Sequence, residues 1–224
     1  MTQTRYKLVC FDLDGTLVDD TIFVWQTLHD HFGTDKEERK NALDRYNKKE
    51  ITYQEWVDHD VKLFNEKGMT RDKLVEAISG LRLMLGAKEA VTELKKKGMK
   101  LAVISGSIDI VLEVLFPDHP FDDVLINRFE FDNEGRLLRG IGTKFDFERK
   151  ALGLKQIAER EGFKLDECVF IGDNHNDIQI AEIAGLSIAF NSKSETLSEI
   201  CDVVIPKDVK DIRAILPFIL DNKK

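Results

Sequence analysis

Short runs of consecutive apolar residues recur at Leu8 to Phe11, Leu101 to Ile104, Val169 to Ile171, Ile188 to Phe190 and Val203 to Ile205, each close to turn-forming residues. Between most of them the apolar positions fall instead at helical spacing. In GAKEAVTELKKKGMK, Ala87, Ala90, Val91 and Leu94 follow the i, i+3, i+4, i+7 pattern of one helix face, and Gly98 is placed to end the helix before the next run. Continuous rather than alternating hydrophobicity suits strands covered on both faces. The pattern therefore predicts an α/β fold with an open, doubly wound, mostly parallel sheet.

Two stretches break the alternation. Residues 19–82 show no convincing strand, but Ile22 to Phe32, Glu37 to Lys48, Tyr53 to Glu66 and Arg71 to Ile78 have helical patterns, with Gly33, Thr52, Gly68 and Thr70 at plausible boundaries. This predicts a small helical bundle inserted after the first strand, leaving 1–18 and 83–224 for the α/β core. In FEFDNEGRLLRG, two short segments flank Asn133, Glu134 and Gly135, which predicts a β-hairpin. Neither an internal repeat nor a low-complexity tract is present.

Composition narrows the function. A chain of 224 residues with 42% hydrophobic content can bury a real core, and its net charge of -8 argues against nucleic acid or an anionic membrane as the main partner. Cys10 and Cys168 lie in apolar runs and, with Cys201, fit a reducing cytoplasm. No apolar stretch approaches the ~18 residues of a membrane span, and MTQTRYKLVCF turns acidic before a signal-peptide core could form. A soluble, cytoplasmic monomer or weak dimer is the expectation.

Candidate chemistry gathers where the strands end. CFDLDGTLVDD places Asp12 and Asp14 one residue apart, directly after the first apolar run. Carboxylates so close repel, so a compensating positive charge is expected. In a doubly wound sheet, ligands sit at the carboxyl ends of the strands. Ser105 and Gly106 follow the second run, while Asp173, Asn176 and Asp177 follow the third, so all three clusters can share one rim. Clustered carboxylates on an open, oxygen-rich rim suit Mg²⁺, and a carboxylate-held Mg²⁺ suits phosphate oxygens.

Taken singly, these features have plainer explanations. Asp-x-Asp is ordinarily a solvated turn, a lysine such as Lys150 a surface charge, and Ser105 a helix cap for Ile108 to Leu115. A calcium loop fails on spacing, since Gly15 comes too early and DNHNDIQIAEIA has Ile178 and Ala184 where glycine and glutamate are needed. GIGTK lacks the glycine spacing of a nucleotide-binding P-loop. His29 and His31, two apart on a helix, read as surface or packing residues, and Trp25 and Trp56 as bundle core.

In order, FDLDGTLVDD, VISGS, Lys150 and FIGDNHNDIQIAEIAG resemble the four motifs of the haloacid dehalogenase superfamily of phosphohydrolases, and Gly86 to Leu216 is similar to its phosphoserine phosphatase branch. The resemblance implies a Rossmann-like core with 19–82 as a helical cap that closes over the site and excludes water. It implies Asp12 as nucleophile carrying an aspartyl-phosphate and Asp14 as acid and base. Ser105 and the Gly106 backbone would hold phosphoryl oxygens, and Lys150 would neutralise their charge. Mg²⁺ would bind the Asp12 side chain, the Asp14 carbonyl and Asp173, with Asn176 near the substrate and Asp177 orienting Lys150 or a metal-bound water. The implied activity is Mg²⁺-dependent hydrolysis of a small phosphorylated metabolite.

One departure concerns that metabolite. Phosphoserine phosphatases read the amino acid's ammonium and carboxylate with a cap glutamate and a cap arginine, and Thr21 and Asp60 fall at the corresponding positions here. No Arg lies between Arg45 and Arg71. With Asp58, His59 and Asp60 facing the site, a carboxylate is repelled, so phosphoserine is expected to be a poor substrate beside phosphorylated alcohols. If phosphoserine were favoured, Arg45 or Lys62 would have to read its carboxylate. A phosphotransferase or phosphomutase using the same aspartyl-phosphate is the alternative enzyme, and genuine phosphoserine phosphatase the alternative specificity. A binding protein without turnover is disfavoured by the joint presence of Asp12, Asp14, Lys150 and Asp173.

Overall fold

The computed structural model describes residues 5–221. Strand β1 (Leu8–Phe11), buried throughout, lies in the middle of a seven-stranded sheet. Parallel neighbours flank it, β4 (Lys100–Ile108) on one side and β7 (Cys168–Gly172) on the other. Beyond β7 come β8 (Leu186–Phe190) and β9 (Val203–Ile205); beyond β4 come β5 (Asp123–Phe131) and β6 (Leu137–Ile141), the last pair antiparallel. Alternate β1 side chains enter opposite faces, as a pleated strand requires. Val9 and Phe11 join the core under α5 (Ala87–Lys96) and α6 (Asp109–Leu115). Leu8 and Cys10 join the core under α7 (Lys150–Glu161), α8 (Ile178–Ile183) and α9 (Glu195–Ile200). The continuous apolar runs thus reflect burial on both faces, and the doubly wound, mostly parallel class expected is the class found. No helix among the described residues is long and apolar enough to cross a membrane.

Helices α1 (Val24–Phe32), α2 (Lys36–Asn47), α3 (Tyr53–Glu66) and α4 (Arg71–Ala77) lie between the first and second strands of the large sheet. Their starts follow capping chemistry: Asp35 accepts from the Glu37 and Glu38 amides, Thr52 and Glu55 form a reciprocal box, and Thr70 accepts from Lys73. The sequence predicts no strand in this stretch, yet β2 (Val18–Asp19) and β3 (Arg82–Leu83) pair antiparallel at its neck. Each is too short to leave a periodic signal, and the pairing exists only because the ends of the insert meet. Val24, Leu28, Val57, Phe64, Leu74 and Ile78 belong to the same continuous core as Val9 and Phe11. The insert therefore packs on the sheet rather than around a separate core.

The predicted hairpin is its platform. Its turn uses Gly135 at φ +77°, but β5 begins earlier than expected, at Asp123, because its first half pairs in parallel with β4. Gly140 on β6 passes directly under α3, where a Cβ would lie 2.6 Å from Val57 Cγ1 and 3.0 Å from Val61 Cγ2. Gln54 fixes the approach, its Nε2 donating to the Gly140 carbonyl at 2.9 Å and its Oε1 accepting from the Gly142 amide at 2.8 Å. Gly140→Val is expected to lower unfolding stability by about 1–3 kcal/mol through overpacking, measured by urea denaturation. An unchanged midpoint would show that α3 does not bear on this strand.

Candidate active site

The carboxyl ends of β1, β4 and β7 converge, and the three expected clusters meet there. Asp12, Asp14, Ser105, Gly106, Asp173 and Asn176 all line one cavity of about 590 Å³. Lys150 and Asp177 are fully buried against them. Lys150, at the first position of α7, donates from Nζ to Asp12 Oδ1 at 2.7 Å and to Asp177 Oδ1 at 2.6 Å. Burial alone would favour its neutral amine, but Asp12, then Asp177 and Asp146, hold its pKa above the ordinary lysine value. The other oxygen of Asp177 accepts from the Asp173 and Asn174 amides at 2.9 and 3.2 Å, so one carboxylate orients both Lys150 and the loop after β7.

Asp14 is held differently. Its Oδ2 accepts from the Val24 amide, at the start of α1, at 2.7 Å, and its Oδ1 from the Ser107 hydroxyl at 2.7 Å. Burial raises its pKa, the Val24 amide opposes, the Asp12 charge raises it further and Ser107 opposes again, leaving it at about 7. A carboxyl group balanced there can give and regain a proton near neutral pH.

Ser105 is not a helix cap. Strand β4 continues past Ile104 to Ile108 with a register shift between those two residues, and α6 begins at Asp109 without a side-chain cap. The extended backbone turns Ser105, Gly106 and Ser107 into an irregular rim, a usual device beside active sites. The Gly106 carbonyl accepts from Trp25 Nε1 at 2.8 Å and from Asn127 Nδ2 at 2.7 Å. A side chain at Gly106 would run into the Asp146 carboxylate, which also accepts from the Tyr53 hydroxyl at 2.9 Å. Asn176 Oδ1 is buried without a hydrogen-bond partner, leaving an acceptor unused beside the cavity.

The donor set fits a hard divalent cation. One carboxylate oxygen from each of Asp12, Asp173 and Asp177 lies within 4.8 Å of the others, and all three residues are buried. Burial, then the charges of Asp12 and Asp177, push the Asp173 pKa well above the ordinary carboxylate value, although Lys193 Nζ stands 2.5 Å from its Oδ2. Negative charge thus remains in excess, and oxygen donors of this kind suit a divalent ion. Asp177 has least to offer it, because Lys150 and two amides already engage its oxygens. Gly15, at φ +82°, has no room for a side chain, which would meet Asp173 and Lys193.

On the insert side several expectations change. Of Asp58, His59 and Asp60, only Asp60 lines the cavity; it is buried, with Oδ2 3.4 Å from His29 Nε2, while Asp58 accepts from Gln54 at the surface. Arg45 and Lys62 lie outside the cavity, paired with Glu50 and Glu66. The cations that do line it, Lys36, Arg39 and Lys40, come from α2. Trp25 and Trp56 are cavity walls as well as packing residues. His29 is indeed a packing residue, its ring 4.5 Å from that of Phe64. The sequence reading passes over Ser107, in the last residues of β4, and Lys193, just after β8, although both lie at the same rim as the residues it singles out.

The model of the haloacid dehalogenase-like hydrolase family matches residues 6–185. A phosphoserine phosphatase of Archaeoglobus fulgidus is 36% identical over 203 residues, which cover 90% of this chain but only 57% of that protein, so the chain spans little more than half of that relative. One from Methanocaldococcus jannaschii is 32% identical over 218 residues, 97% of this chain and 99% of that one. A solved phospho-aspartyl intermediate analogue of phosphoserine phosphatase is similar with a TM-score of 0.71 at 30% identity, over 96% of this chain and 99% of that one. The chain belongs to the haloacid dehalogenase-like hydrolases, in their phosphoserine phosphatase-like branch. Family and relatives together indicate a phosphoric monoester hydrolase, a class that typically uses a divalent metal.

Removing Lys150 would leave Asp12 and Asp177 buried and uncompensated. Lys150→Met is expected to cost about 3–5 kcal/mol of stability in urea denaturation, with partial recovery when Asp177→Asn is added. A neutral Lys150→Met would show that the ammonium does not hold the carboxylates together.

Proposed function

We propose that the chain is a Mg²⁺-dependent phosphatase that hydrolyses a small phosphomonoester through an aspartyl-phosphate on Asp12. The observation that carries this reading is the pairing of two carboxylates in opposite settings: Asp12 bound to the Lys150 ammonium, Asp14 buried at a pKa of about 7. Asp12 engages Lys150 through one oxygen, and the other forms the bond to phosphorus. As the ester P–O bond breaks, Asp14 gives its proton to the leaving alkoxide. Asp14, now a carboxylate, takes a proton from water as that water attacks phosphorus, which releases phosphate and restores Asp12. Ser105 and the Gly106 backbone hold phosphoryl oxygens, Lys150 offsets their charge, and Asn176 meets the substrate. Asp12 and Asp173 through side chains and Asp14 through its carbonyl would hold Mg²⁺, whose charge neutralises phosphoryl oxygens when bound. Asp177 keeps Lys150 in place.

In the same reading, 19–82 is a cap domain on a core of 1–18 and 83–224, and the Val24 amide on Asp14 and the Tyr53 hydroxyl on Asp146 are points where cap and core meet. Phosphoserine fits poorly. Thr21 carries no charge for the substrate's ammonium, and its hydroxyl bonds Thr27 at 3.0 Å; Asp60 repels a carboxylate at the position where an arginine would read it.

Asp12→Asn is expected to keep the fold and lower turnover by at least ~10³, about 4 kcal/mol of barrier, in a phosphate-release assay on a panel of phosphorylated metabolites. Activity within tenfold of the unmodified chain would overturn the assignment of the nucleophile. EDTA is expected to abolish phosphate release and Mg²⁺ to restore it; full activity of a metal-stripped sample would remove the cation from the mechanism. Phosphate appearing only when an acceptor alcohol is supplied would instead mark a phosphotransferase.

A further inference from the structure

The cavity above the carboxylates extends well beyond a phosphate site. At about 590 Å³ it is in the range that holds substantial organic ligands, and a molecule the size of phosphoserine would fill only part of it. Two helix faces close it. From α3, Tyr53, Trp56 and Val57 line it, and Trp56 is stacked on Tyr46 with ring centroids 5.0 Å apart and packed against Phe147 at 5.8 Å. Such a braced aromatic wall presents a flat apolar surface.

The face of α2 has different chemistry. Lys36, Arg39, Lys40, Leu43 and Asn47 line the cavity at the i, i+3, i+4, i+7, i+11 spacing of one helical stripe, so three cations are stacked at the amino-terminal end of that stripe. Lys36 and Lys40 have no ion-pair or hydrogen-bond partner among the described residues. Arg39 is half-buried and bonds the neutral Gln26; burial lowers its pKa by more than the attraction of Asp60 and Asp30 raises it. Asp60, the one carboxylate lining the cavity from the insert's helices, already faces His29 at 3.4 Å. The α2 face of the cavity therefore carries two cations, Lys36 and Lys40, that no group among the described residues pairs, with Arg39 between them, while Asp12, Asp14 and Asp173 line the same cavity.

We infer that the substrate is an extended phosphomonoester with a flat apolar body and a second anionic group, a carboxylate or a phosphate, received by Lys36, Arg39 and Lys40 on the α2 face of the cavity. This rests on the reading above, which places the scissile phosphate at Asp12. It replaces the expectation of carboxylate-free substrates, which assumed that Asp58, His59 and Asp60 all face the site. Phosphoserine stays disfavoured because it has no apolar body to fill the space beside Tyr53, Trp56 and Val57.

Non-hydrolysable benzylphosphonates of one length, with a para tail ending in carboxylate, phosphate, amide or ammonium, separate the possibilities by calorimetry on the Mg²⁺-loaded protein. The carboxylate or phosphate tail is expected to bind at least about tenfold tighter than the amide, and the amide tighter than methylphosphonate, which has no body. Whichever anion binds tighter identifies the second group. The anionic advantage should fall towards unity in Lys36→Gln/Lys40→Gln, two exposed positions that folding tolerates, and persist in Lys36→Arg/Lys40→Arg. Equal or better binding of the amide or ammonium tail, an advantage that survives the double Gln variant, or a series no tighter than methylphosphonate overturns the inference. Turnover of the matching phosphate esters keeps the two readings apart. Hydrolysis at one kcat/KM whatever the tail sinks this inference and leaves the phosphatase; a tail preference in binding without any phosphate release does the reverse.

Discussion

A single buried ammonium organises this molecule. Lys150 is fully enclosed and touches carboxylates from two different strands' ends, Asp12 after β1 and Asp177 after β7, from the first turn of α7. A lone lysine in that position would lose its proton, and the charges of Asp12 and Asp177 hold it as an ammonium. Because Asp177 also binds the Asp173 and Asn174 amides, the same contact shapes the loop that carries Asp173. The repulsion built into Asp-x-Asp is thus offset first by a residue far away in sequence. Lys193 does the same for Asp173, and charge still remains for a divalent ion.

The second constraint is continuity between insert and sheet. The apolar faces of α1, α3 and α4 join the core that contains β1. That continuity delivers the Val24 amide to Asp14, the Trp25 indole to Gly106 and the Tyr53 hydroxyl to Asp146. Asn127, a buried polar residue on β5, ties the irregular end of β4 in place through Gly106 and Ser107. Asp14, the Ser105 to Ser107 rim and the helices above the cavity are consequently one connected set of hydrogen bonds.

The sequence by itself determined the α/β class, the two-sided burial of the strands and the run of helices between the first two strands of the large sheet. Those features depend on periodicity and capping, which are local: Tyr53 to Glu66 was delimited to the residue, because Thr52 and Glu55 form a box at its start. It also marked Asp12, Asp14, Ser105 and Asp173, because motifs at strand ends inherit their location from topology, and Lys150 by its place between the hairpin and the strand at Val169. Only the tertiary structure decided which insert residues face the cavity. Asp58, Asp60, Arg45, Lys62, Lys36, Arg39 and Lys40 all read alike as charges on amphipathic helices, and which of them look inward depends on how each helix is rotated about its axis. That rotation is set by contacts distant in sequence, such as Gly140 admitting Val57 and Val61 against β6. Nor could a local pattern show that Ser105 stays in an extended strand rather than capping a helix, because Asn127 and Trp25, which hold that rim, approach it from other parts of the chain.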